Sequence, residues 1–171
     1  MVRRSGRGRD RAPAALDRTL LGGPSISPSS GRIAVGHMSL AIGIVLALIV
    51  AASATFFGLD RDRALYPVVV IVIASYYALF AVMGGSIQVL IIESAVAAAF
   101  LGVALAGFKF TLWLVVAALA AHGIFDLVHP HLYTNTGVPV WWPSFCLAYD
   151  VVAAAYLAWL LTSKKVRAYA A

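Results

Sequence analysis

Five apolar stretches, over about 38–58, 64–84, 86–107, 109–129 and 142–162, occupy most of this chain. A helix rising 1.5 Å per residue needs about 20 residues to cross roughly 30 Å of hydrocarbon, and each stretch is that long. Asp60-Arg61-Asp62-Arg63 divides the first from the second, and Gly84-Gly85 the second from the third. Lys109 marks the next turn, and Pro130, Gly137, Pro139 and Pro143 break the chain before the fifth. Backbone groups in lipid must pair within their own segment, and a closed barrel needs alternating strands, so the stretches are helices. The expected fold is all-α: a polytopic transmembrane bundle of about five helices, with the lipid bilayer as its solvent. Charged residues make up only 12% of the 171, against about 25% in soluble domains.

The net charge of +6 raises the question of a nucleic-acid partner, and its distribution excludes one. Seven of the thirteen basic residues precede Met38, and the other six lie in short loops or the C-terminal tail. No basic face with interleaved aromatics exists. Residues 1–37 are rich in Arg, Gly, Pro and Ser and cannot bury a core, so they are expected to form a disordered basic arm. Met38 is an alternative start. The transmembrane domain then covers 38–163, and 164–171 is a basic tail. With the arm set aside, Arg61, Arg63, Lys109, Lys164, Lys165 and Arg167 share one side of the bundle. The positive-inside rule makes that side cytoplasmic, so the bundle's N-terminus is expected outside an inner cell membrane and its C-terminus inside.

Ionisable groups in a bilayer are expensive, and they gather here in one place. His122, Asp126 and His129 are four and three residues apart, which puts them on one face of the fourth helix. Measured from the expected outer helix ends, Glu93, His122 and Asp150 lie at one depth on three helices, roughly 10–12 Å in. Tyr76 and Tyr77 reach a similar level, and Asp126, His129 and His131 continue toward the outer surface. Imidazoles and carboxylates are ligands for a divalent metal such as zinc or iron. His122, His129, Glu93 and His131 are the candidate ligands, with Asp126 or Asp150 as general base if an open coordination position activates water. The same groups are also the material of a proton relay in a coupled transporter. Two histidines on one helix face cannot be axial to a single haem.

Cys146 is the only cysteine, so no internal disulfide can form, and it reads as a buried apolar thiol. Ser94, Ala98, Gly102 and Ala106 form a small-residue stripe on the third helix, and Ala117 and Ala121 a shorter one on the fourth; both are expected to receive neighbouring helices. Trp141 and Trp142 fit an interfacial aromatic belt.

From Ala121 to Leu160 the chain reads H-G-x-F-D-x-x-H, then V-P-x-W-W-P-x-F-C-x-x-Y-D. This resembles a family of small bacterial integral membrane proteins of unknown function, in which H-x3-D-x2-H ends one helix and a Cys and an Asp begin the next. The resemblance implies a multi-pass bundle and marks His122, Asp126, His129, Cys146 and Asp150 as motif positions. More distantly, the His/Asp pattern is similar to the alkaline-ceramidase and adiponectin-receptor membrane hydrolases, which have seven helices and a distal His pair that this chain lacks. Three functions therefore stay open: a metal-dependent hydrolase of a lipid or small-molecule amide or ester, a small proton-coupled transporter, and a structural or accessory membrane protein. A homo-oligomer is one way to complete the site.

Overall fold

The computed structural model of the chain describes residues 28–61 and 63–167. They form five helices: α1 (Pro28–Phe57), α2 (Leu65–Met83), α3 (Ile87–Lys109), α4 (Trp113–Leu132) and α5 (Trp142–Thr162). Each contains a segment long and apolar enough to cross a membrane. The described residues contain no strand. The protein is an all-α, multi-pass membrane bundle. Large apolar side chains such as Leu48, Leu79, Ile91, Leu105, Leu127 and Val151 point outward, where acyl chains satisfy them.

Local chemistry sets the turn between α2 and α3. Ser86 caps α3 by accepting a hydrogen bond from the Val89 amide at 3.3 Å. Gly85, at φ +70°, supplies the left-handed residue that reverses the chain between α2 and α3. Two ends differ from expectation. Helix α1 begins at Pro28, ten residues before Met38, so His37 is helical; the disorder expected for residues 1–27 concerns a segment outside the described residues. Helix α4 continues through Pro130 to Leu132. Proline removes the N–H bond to the Asp126 carbonyl, and only two helical residues follow it, so the break comes where the helix ends.

Packing follows the row α1–α5–α4–α3–α2, curved so that α2 also touches α4. Helix α4 thus meets α2, α3 and α5, and a polar group on its inner face has three helices from which to draw partners. The α1–α5 contact is made by small residues. Gly43, Ala47, Ala51 and Ala54 are buried, and a Cβ on Gly43 would collide with the Phe145 carbonyl oxygen.

The stripes expected to receive helices do not. Ser94, Ala98 and Gly102 are exposed, and so are Ala117 and Ala121. Instead α3 turns inward the edge bearing Glu93, Ala104 and Gly107, with Phe100 packed against it. Leaving a carboxylate in lipid costs several kcal/mol, more than the gain from close-packing alanines, so Glu93 decides the rotation of α3. The two tryptophans also part company: Trp141 is exposed as a belt residue is, whereas Trp142 is buried against Tyr76 and Phe80.

The basic residues after Met38 gather at the end opposite the α4–α5 loop, whereas Arg32 stands in the first turns of α1 at the other end. The Arg63 guanidinium donates to the Phe108 carbonyl at 3.0 Å, the Gly107 carbonyl at 3.3 Å and the Arg167 carbonyl at 2.8 Å. It ties the end of α3 to the segment after α5. Nearby, Thr55 donates to the buried Asp60 carboxylate at 2.6 Å and lies 2.7 Å from the Tyr156 hydroxyl.

Candidate metal centre

Helix α4 presents His122, Asp126 and His129 to the interior, while Ile124, Leu127, Val128 and His131 face outward. The structure divides the inner residues between two centres. His122 lies ten residues inside Leu132, roughly 15 Å from the outer end, whereas His129 lies three residues in, roughly 5 Å. Glu93 lies six residues inside the start of α3, roughly 9 Å, between the depths of His129 and His122. It pairs with His129 and not with His122.

The deeper centre joins α4 and α5. His122 Nδ1 is 2.7 Å from Asp150 Oδ2 and 3.4 Å from Asp126 Oδ2. Cys146 Sγ, one turn before Asp150, is 3.9 Å from the same Asp150 oxygen. The Tyr77 hydroxyl of α2 donates to Asp126 Oδ1 at 2.7 Å. One donor atom from each of His122, Asp126, Cys146 and Asp150 can be chosen so that all four lie within 4.8 Å of one another. Donors around a tetrahedral ion, with bonds of about 2.0–2.3 Å, stand roughly 3.3–3.7 Å apart. The observed separations bracket that range, so the buried group could hold a metal ion.

Two further properties bear on what this centre could hold. Each of the four residues is 1% exposed or less. Three polar atoms within it have no hydrogen-bond partner: His122 Nε2, Asp126 Oδ2 and Asp150 Oδ1. A single Nδ1–H cannot serve both carboxylates, and buried polar atoms are otherwise nearly always paired. Among the described residues no Lys or Arg pairs with either aspartate, whose ion-pair contacts are with His122 alone. Two carboxylates and a thiol in a low-dielectric interior need positive charge, which protons or a divalent cation can supply.

The shallower centre joins α3, α4 and the α4–α5 loop. Glu93 Oε1 receives His129 Nε2 at 2.8 Å and the Asn135 amide at 2.9 Å, and Glu93 Oε2 receives the Tyr133 hydroxyl at 2.9 Å. Burial, then the bond to Glu93, raises the Tyr133 phenol above its ordinary pKa. The Asn135 amide also donates to the Tyr77 carbonyl at 3.2 Å. The Tyr77 ring lies 4.2 Å from that of His129, so this tyrosine touches both centres.

Asn135 and Tyr133 were not visible as site residues in the sequence, although an Asn amid prolines at membrane depth needs partners for its amide. Cys146 is buried, as expected of an apolar thiol, and its sulfur lies 3.9 Å from Asp150 Oδ2 within the deeper centre. His131 points away from both centres. No family model, curated protein or solved structure matches the chain, and the chemistry of the site therefore rests on its own geometry.

Proposed function

We propose that this protein is an integral membrane metalloprotein whose deeper centre binds one divalent transition-metal ion between α4 and α5. The observation that carries the reading is the set of four buried donors within 4.8 Å of one another, three of whose residues hold an unpartnered buried polar atom. One imidazole, two carboxylates and a thiol form a mixed nitrogen, oxygen and sulfur set, which suits zinc and also accepts iron(II). Two ionised aspartates neutralise a dication, a Cys146 thiolate would add one further negative charge, and no described Lys or Arg pairs with either aspartate. The Tyr77 hydroxyl on Asp126 is the kind of outer hydrogen bond that orients a ligand.

Hydrolysis of a lipid amide or ester would require an open coordination position and a path for substrate. Four donors sealed at 1% exposure or less favour a closed ion that clamps helices together, with Asp126 and Asp150 as ligands and not as bases. A proton-coupled carrier is the second reading. The 2.7 Å separation of His122 and Asp150, the length of a direct hydrogen bond, favours it. The resemblance to small bacterial membrane proteins supports an inner-membrane location, and the basic end supports a cytoplasmic C-terminus.

Elemental analysis of protein purified in mild detergent without chelator tests the metal reading. About one zinc or iron per chain is expected, falling at least about tenfold in His122→Ala and Asp150→Asn. Folded wild-type protein carrying no metal would refute it, and pH-driven uptake in liposomes by that metal-free protein would establish the carrier.

A further inference from the structure

Beside the shallower centre, the end of α4 and the α4–α5 loop line a partly open cavity of about 270 Å³. Its polar wall is His129, Tyr133, Thr134 and Asn135, and the remainder is apolar, mainly proline. His129 is 2% exposed, so it forms part of the cavity wall and does not project into the medium. Its Nε2 is engaged by Glu93 at 2.8 Å. Among the described residues, no hydrogen bond involves its Nδ1.

We propose that His129, oriented by Glu93, is the ligand of a second cation site, one that exchanges its ion with the outer medium. Histidines that bind metals nearly always give their other ring N–H to a carboxylate, which fixes the ring and makes the free nitrogen more basic. Here Nε2 makes that bond, and Nδ1 is the nitrogen left for a ligand. Glu93 is itself held by three donors from three residues, Tyr133 and Asn135 besides His129, so its orientation of the ring is rigid. The charge fits a cation, because a buried carboxylate stands behind the histidine and no Lys or Arg of the described residues pairs with it.

Size fits as well. Six waters at about 30 Å³ each need roughly 180 Å³, so the cavity admits an ion that keeps most of its hydration shell. One imidazole with hydroxyl oxygens and water makes a weak, labile site for borderline ions such as zinc, and a poor one for magnesium, which prefers oxygen. The site does not depend on occupancy of the deeper centre, and His122 and Asp150 take no part in it.

The experiment is equilibrium binding of zinc alone to the intact detergent-purified protein. Two classes of site are expected, a tight one removed by His122→Ala and a weak one removed by His129→Gln. Glu93→Gln, which keeps the shape of the side chain, should weaken the second class about tenfold, and Glu93→Asp, which keeps the charge, less. His131→Gln removes an exposed histidine and should leave both classes in place. If His129→Gln disturbs folding, the Glu93→Gln shift in the weak class alone supports the site. Absence of a weak class in wild type, its persistence unchanged in both variants, or its loss in His131→Gln overturns the proposal. Absence of the tight class with retention of the weak one overturns only the deeper centre.

Discussion

Tyr77 shows what a single residue contributes when two polar centres share a bundle. Its hydroxyl satisfies Asp126 Oδ1, its carbonyl receives Asn135, and its ring lies on His129. In Tyr77→Phe the ring contacts survive while one oxygen of a fully buried carboxylate loses its donor. Stranding such an atom costs about 1–3 kcal/mol. The lost bond also orients Asp126 as a ligand, so the variant binds a cation more weakly. The variant should therefore melt below wild type in chelator, by a margin that widens when zinc is supplied. Equal margins in chelator and zinc, read by thermal unfolding in detergent, would mean that Asp126 gains nothing from the metal.

At the scale of elements, the α4–α5 connection decides where the shallower centre sits. Gly137 lies so close to α2 that a Cβ would collide with the Phe80 carbonyl oxygen, a backbone atom that cannot step aside. Asn135, whose side-chain oxygen accepts from the Gly137 amide at 3.3 Å, is thereby held where its own amide reaches Glu93. Gly137→Ala should displace the loop, lower stability by about 1–3 kcal/mol and weaken zinc at His129. An unchanged melting temperature with unchanged zinc binding would show that the loop is not positioned by this contact.

The number of helices and the inward stripe His122, Asp126 and His129 were legible in the sequence, because length and hydropathy report spans and a period of 3.6 reports a face. Depth was less legible. Ending α4 at His129 and not Leu132 put His122 at the depth of Glu93, whereas the longer helix leaves Glu93 between the two histidines, and its partner is His129. Helix rotation was hidden too. Small-residue stripes suggested one inward edge for α3, and the cost of burying Glu93 in lipid selected another. Partners supplied by a loop, such as Asn135, carry no periodic signal at all.

Taken as a whole, the molecule is polarised along the membrane normal. Both polar centres lie toward the end formed by the α4–α5 loop, and the exposed lysines and Arg63 with its carbonyl partners lie at the other. A cation entering by the cavity at His129 would approach from the end away from Arg63 and the three lysines. In the proposed orientation, with the C-terminus in the cytoplasm, that entry side is the outside of the cell. Thr134, exposed in the α4–α5 loop, marks it. In a Cys146→Ala background, Thr134→Cys should react with a membrane-impermeant maleimide applied to intact cells, and Ser163→Cys at the opposite end only after lysis. The reverse pattern would put the cavity in the cytoplasm, and both centres would then draw their ions from the tightly buffered cellular pool instead of the medium.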